Sequence, residues 1–334
     1  MKKVTLMWHC ACLLMAMTIT SCSQEQVINQ EMGEAQLTFN VSPYEKTPMD
    51  ADTRAVAAKD AVTHLSLGLF QGENAVVSEN QTYGGSSDTS FGTFQMTVPY
   101  GTYQLVVVGH KGSADATITS PTNISFPNNE LTDTYYYYET ITVTKDSEKN
   151  LSIVLQHAVA RFKLITTDAF PTTIKEITFK IEGGGLVLNA TNGTAASKAT
   201  QTKTYTVTSY AGKTVPFVQV YSILSSANEE ALNITVTAKD TDGNTLAERL
   251  FENVPMQRGY STTYRGYFFS NQGAWTVTVD DAYTEKDETA FEHSKTHENK
   301  ILTAYHGPAS GHDKRTGMRE CHHRRDRRRE HTDG

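Results

Sequence analysis

The stretch LSIVLQHAVARFKL, from Leu151 to Leu164, decides how the chain is built. Leu151, Ile153 and Leu155 share one face of an extended segment, and Val159 keeps that phase. Phe162 and Leu164 take the opposite phase. Side chains alternate with a period of two along a strand, so a slip of one residue turns every later side chain to the other face. One long strand, or two consecutive ones, therefore leaves one core and enters another. The boundary between two bodies falls near His157.

Working outward, short strand-like segments flank this join on both sides. Upstream, AQLTFNVSP sets Leu37, Phe39 and Val41 against Gln36, Thr38 and Asn40, and AVTHLSLGLF does the same with Leu65, Leu67 and Leu69. FGTFQMTVPYGTYQLVVVGHKG reads as strand, turn at Pro99-Tyr100-Gly101, strand. ATITSPTNISF, TDTYYYYETITVT and KNLSIVL complete the first group. Downstream come HAVARFKLI, IKEITFKIEG, GLVLNAT, KTYTVTSY, VPFVQVYSIL, LNITVTAKD, TLAERLFENVP, TTYRGYFF and AWTVTVDD. No long segment of helical period competes with them. Regularly spaced short strands of this kind predict an all-β chain made of two tandem β-sandwich domains.

The composition agrees. Of 334 residues 38% are hydrophobic, and 16 Tyr and 13 Phe accompany runs of Thr and Val, a bias that favours strands. Mean hydropathy of −0.44 excludes a multi-pass membrane protein. A formal net charge of −7 argues against nucleic acid as a partner of the body. The four cysteines are Cys10, Cys12, Cys22 and Cys321, so none lies within the strand-rich body to brace it with a disulfide.

Lys2 and Lys3 precede the apolar run LMWHCACLLMAMTI, which has the length of a secretory signal. The run ends Ile19-Thr20-Ser21-Cys22, which resembles a bacterial lipobox. There the Cys22 thiol is joined to diacylglycerol, the chain is cut before it, and the new amine is often acylated as well, for example with palmitate. Two or three acyl chains anchor firmly where one does not. The bland alternative is a plain signal in which Cys22 is incidental.

Other constellations are weaker. DTDGN at Asp240 to Asn244 resembles the opening of a calcium loop, but the place of the last acidic ligand is taken by Phe251; Asp242-Gly243 reads better as a hairpin turn. His64, His110 and His157 are the only histidines of the body, with no acid beside them in a recognisable motif and no Gly-x-Ser-x-Gly elbow. IEGGGL lacks the lysine of a phosphate loop. The run Tyr135–Tyr138 puts aromatics on both faces of one strand, so one face is expected to be exposed or to lie against the neighbouring domain. Packing between domains competes there with a glycan-stacking platform. From Glu292 the composition changes abruptly, with seven of the eleven histidines and the cluster HHRRDRRRE. This tail reads as disordered or as the product of a shifted frame. His293 with His297, and Cys321-His322-His323, are of metal-binding type but lack a scaffold. No cofactor and no metal are expected.

Three segments together resemble the fimbrillins of the Bacteroidales type V pilus superfamily. VPYGTYQLVVVGHKG is similar to the family's Pro-x-Gly-x-Tyr strand start, LQHAVARFKLITT to the segment joining its two transthyretin-like domains, and VPMQRGYSTTYRGYFF with WTVTVDD to the end of the second domain. The last two lean toward the FimB-type branch of anchor and minor subunits. The resemblance covers roughly residues 20 to 290 and implies transthyretin-like, Greek-key sandwiches. It also implies a lipoprotein of the outer membrane, exposed at the surface, whose partners are other fimbrial subunits. In polymerising members an arginine-specific protease removes the first strand, and the groove accepts a strand from another subunit by β-augmentation. Arg54-Ala55, in a polar loop after the first strand, stands where that cut would fall; the alternative is an ordinary exposed arginine. The family's donor strand lies at the C-terminus, whereas the strand pattern here stops near Ala282.

The expected organisation is a lipoprotein signal at 1–21, a tether at 22–34, sandwiches at 35–157 and 158–291, and the basic tail at 292–334. The expected function is a non-enzymatic fimbrial subunit supporting cell adhesion. A surface lipoprotein of the same architecture that binds glycans, or a host or bacterial surface ligand, is the alternative.

Overall fold

The computed structural model describes residues 33–42, 58–84, 88–147, 149–214, 217–270 and 272–281. Cys22, Arg54, Ala55 and the His/Arg-rich tail lie outside them. The strands in chain order are β1 (Glu34–Ser42), β2 (His64–Gln71), β3 (Asn74–Thr82), β4 (Thr93–Pro99), β5 (Gly101–His110), β6 (Thr117–Ser120), β7 (Asn123–Ser125), β8 (Thr134–Val143), β9 (Asn150–Val154) and β10 (Gln156–His157). There follow β11 (Ala160–Thr166), β12 (Ile174–Glu182), β13 (Leu188–Asn189), β14 (Thr194–Ala195), β15 (Gln201–Thr206), β16 (Val218–Ser222), β17 (Glu229–Asp240), β18 (Thr245–Gln257), β19 (Tyr260–Gly266) and β20 (Thr276–Asp281). One α-helical turn, α1 (Ala58–Ala61), precedes β2. The chain is an all-β protein.

The strands form two facing pairs of sheets. A three-stranded sheet of order β4-β1-β9 faces a five-stranded sheet of order β10-β8-β5-β2-β3. Leu37, Phe39, Val41, Leu65, Leu67, Leu69, Leu105, Val107 and Ile153 fill the space between them. A sheet of order β16-β11-β19-β20 faces one of order β15-β12-β17-β18, around Phe162, Leu164, Ile177, Phe179, Val236 and Phe251. The period-two alternation read in the sequence is thus the inner faces of the sheets. In both pairs the first strand sits inside its sheet, antiparallel to one neighbour and parallel to a much later strand: β1 to β9, and β11 to β19.

The join at 151–164 is more broken than one or two strands. It is three, β9, β10 and β11, and the two-residue β10 crosses over to pair with β8 in the facing sheet. Ile153 and Leu155 belong to the first core and Phe162 and Leu164 to the second, whereas Ala158 and Val159 belong to a third core. That core lies on the other face of the five-stranded sheet and holds Phe70, Val106, Val108, Tyr136, Ile124, Phe126, Leu188 and Ile223. Above it runs a small sheet of order β14-β13-β7-β6, with strands from both sides of the join. Ile124 of β7 pairs with Leu188 of β13.

Polar contacts reinforce this region. Arg258 Nη1 donates to the Tyr136 hydroxyl at 3.0 Å and to the Gly193 carbonyl at 3.1 Å. Gly193, at φ 69°, admits no Cβ, which would overlap both the Tyr136 hydroxyl and the guanidinium. Lys203 and Glu130 form an ion pair at 2.5 Å. Elsewhere in the second pair of sheets, the Asp168 carboxylate accepts the backbone N–H groups of Phe268, Phe269 and Ser270 at 2.8–3.0 Å, tying the exit of β11 to the exit of β19.

Candidate functional site

β1 has the most suggestive setting. Seven of its residues, from Glu34 opposite Pro99 to Asn40 opposite Thr93, run antiparallel along β4. Five, from Thr38 opposite Asn150 to Ser42 opposite Val154, run parallel along β9. Its ends are tied by Tyr100 N–H to the Gly33 carbonyl and Leu155 N–H to the Ser42 carbonyl, both at 2.8 Å. Phe39 is fully buried, Leu37 and Val41 nearly so. Adjacent strands lie about 4.8 Å apart, so β4 and β9 flank β1 across roughly 10 Å. Without β1 they would present two rows of unpaired backbone groups above three apolar pockets, a receptor for another strand. At the other end of the described chain, β20 is an edge strand with Val277 and Val279 exposed.

The structure places carboxylates beside two of the three body histidines, which the sequence reading did not find. His64 Nδ1 lies 3.0 Å from Asp115 Oδ1, and His157 Nδ1 lies 3.4 Å from Asp133 Oδ1. No local motif could have revealed them, since His64 and Asp115 are 51 residues apart. The Thr82 hydroxyl also approaches His64, at 3.3 Å, but on the same nitrogen as Asp115. A relay needs the acid and the nucleophile on opposite ring nitrogens, so this trio has no such geometry. Burial, then the Arg161 charge, pushes His157 down to about 3. Burial, then His64, pushes His110 down to about 4.

Of the two settings expected for the tyrosine run, an exposed platform or a packed face, the structure shows packing. Tyr135 is buried in the first core and Tyr136 in the third, because the five-stranded sheet is covered on both sides. Tyr137 and Tyr138 are half-buried, with hydroxyls held by Glu139 and Gln104. DTDGN closes the β17–β18 hairpin: Asp240 accepts the backbone N–H groups of Asp242 and Asn244, and Gly243 takes φ 86°. Among the described residues no group of three or more His, Cys, Asp or Glu is placed to hold a metal ion. Among them too, no helix is long and apolar enough to cross a membrane.

A comparison with curated proteins finds no match. Among solved structures, the chain is similar to a candidate adhesin from Bacteroides thetaiotaomicron at 13% identity and TM-score 0.45, over 75% of this chain and 97% of that one. A fimbrial assembly protein from Parabacteroides distasonis gives 13% and 0.41, over 75% and 100%. The tip fimbrial protein Mfa3 from Porphyromonas gingivalis, truncated at its C-terminus, gives 11% and 0.38, over 75% and 100%. In sequence, residues 29–303 match a family of unknown function, DUF6562, and the chain belongs to that family.

Proposed function

We propose that the chain is a structural, non-enzymatic subunit of a surface fimbrium, held at the outer membrane by lipid on Cys22. It joins other fimbrial subunits by β-strand addition and supports cell adhesion. Its body is the pair of sandwiches at 35–157 and 158–291, and it belongs with the FimB-type anchor or minor subunits, which keep their first strand and their lipid. The observation that carries this reading is the setting of β1, an interior strand seated between β4 and β9, which an anchor keeps and which in a processed subunit would give way to a partner's strand. The lipobox-like Ile19-Thr20-Ser21-Cys22 and the position of Arg54-Ala55 beyond β1 add the sequence support. The alternative, glycan binding on Tyr135–Tyr138, loses its platform to the burial of Tyr135 and Tyr136.

The test is N-terminal sequencing and intact-mass measurement of the chain from purified surface filaments. A blocked, acylated Cys22 is expected of an anchor, and a start at Ala55 would give a shaft or tip role instead. Absence from filaments, with an unmodified N-terminus elsewhere, would overturn the proposal.

A further inference from the structure

At one end of the five-stranded sheet, Thr134, His110, His64 and Thr82 stand opposite one another across β8, β5, β2 and β3. The two imidazoles stack, with centroids 5.4 Å apart and planes 24° from parallel. Phe126 meets His110 edge-on. The chain leaving β5 folds back over the pair. Gly112 N–H donates to His110 Nδ1 at 2.9 Å, and Asp115 takes His64 Nδ1. The Thr82 hydroxyl donates to the same carboxylate at 3.3 Å, and Ser66 Oγ to the Ala116 carbonyl at 3.3 Å. His110 is 1% exposed and His64 8%.

These contacts place the protons. Gly112 N–H occupies the lone pair of His110 Nδ1, so the neutral ring carries its hydrogen on Nε2. That Nε2 is buried with no acceptor among the described residues. A second proton would fall on Nδ1 and set two N–H groups against each other. His64 differs in geometry, its Nδ1 facing the Asp115 carboxylate rather than a backbone N–H. The charged groups that act on His110 are His64 from β2 and Asp115 from the loop; Thr134, Thr82 and Phe126 bring none.

We infer that the stacked His64–His110 pair is an acid-sensitive latch, closed when neutral His110 accepts the Gly112 N–H and opened when that ring is protonated. Opening releases residues 111–116 and the β6–β7 hairpin behind them. Ile124 and Phe126 then leave the third core, and the Ile124–Leu188 pairing across the join is lost, while the two sandwich cores stay closed.

The test is hydrogen exchange by mass spectrometry on the full chain at about pH 7 and about pH 4.5, corrected for intrinsic rates. An open-state ring titrating near 6.5 against a closed one near 4 makes opening roughly 50-fold more frequent at the lower pH. Peptides spanning 111–126 should show that gain, while those of β12 and β17 do not. His110→Asn, whose side-chain oxygen replaces Nδ1 as acceptor but takes no proton, should show almost none. Equal protection at both pH values, loss in step with β12 and β17, or a wild-type response in His110→Asn would overturn the latch. If that variant does not fold, His64→Gln removes the neighbouring charge and should move the opening to lower pH. An unmoved midpoint would overturn the inference equally.

Discussion

Cutting the chain between β1 and α1 asks directly whether β1 is a replaceable part. A protease site placed within residues 43–57 severs β1 covalently and leaves it seated; mild denaturant then washes it out. Burying a large apolar side chain contributes roughly 1.5–3 kcal/mol, so Leu37, Phe39 and Val41 together contribute about 4.5–9 kcal/mol. An unfolded chain already hides some apolar surface, so that sum is an upper bound. Whole domains are stable by only about 5–15 kcal/mol. The first sandwich should therefore lose most of its stability on losing β1, while the second, with its separate core, keeps its own melting transition. A peptide of residues 34–42 added back at about 100 times its Kd should restore roughly 2.7 kcal/mol. Calorimetry of cut, stripped and refilled protein reads all three states. If stripping leaves the first transition in place, or the peptide fails to raise it where a scrambled one also fails, β1 is not a replaceable strand.

Three further outcomes are expected. Gly193→Ala should cost at least about 2 kcal/mol in urea unfolding, because its Cβ displaces Arg258 from Tyr136 and its φ is positive. Asp168→Ala should cost roughly 2–4 kcal/mol by stranding three backbone donors, with Asp168→Asn intermediate, both read from urea midpoints. His157 has a folded pKa depressed to about 3, so the unfolded chain binds its proton first and stability falls as pH drops below about 6.5. The loss is about 2 kcal/mol by pH 5, and His157→Gln should remove that slope between pH 7 and 5. Burial raises the Asp133 carboxyl, which acts in the opposite sense, so the comparison must be made between variant and wild type.

What the sequence disclosed and what it hid divide along a physical line. Period-two alternation is visible wherever a strand has one buried and one wet face, as in Leu37, Phe39 and Val41. The phase slip between Leu155 and Phe162 marked the passage between cores. Turns that depend on local chemistry, such as Asp242-Gly243, were equally legible. β3 escaped because it is an edge strand with little buried surface, so its residues carry no alternation. The segments ATITSPTNISF and GLVLNAT were legible as strands, but their pairing into a separate small sheet was not, because the paired pieces are two to four residues long and nothing near Ile124 announces Leu188. Of the two settings open to the tyrosine run, the third core takes the packed one, covering Tyr136 with Val159, Leu188 and Ile223. The histidine–carboxylate pairs are tertiary facts, made by strand register and loop return.

The parallel pairing of first and late strands also sets an order of events for a chain that emerges N-terminus first. Ser42 meets Ile153 only after 111 residues, and Arg161 meets Ser261 only after 100. Neither sheet can close on its opening strand until nearly all of its sandwich has appeared, and such long-range closure is slow. Here that delay is written into the topology: each sandwich keeps its first strand waiting for one of its last.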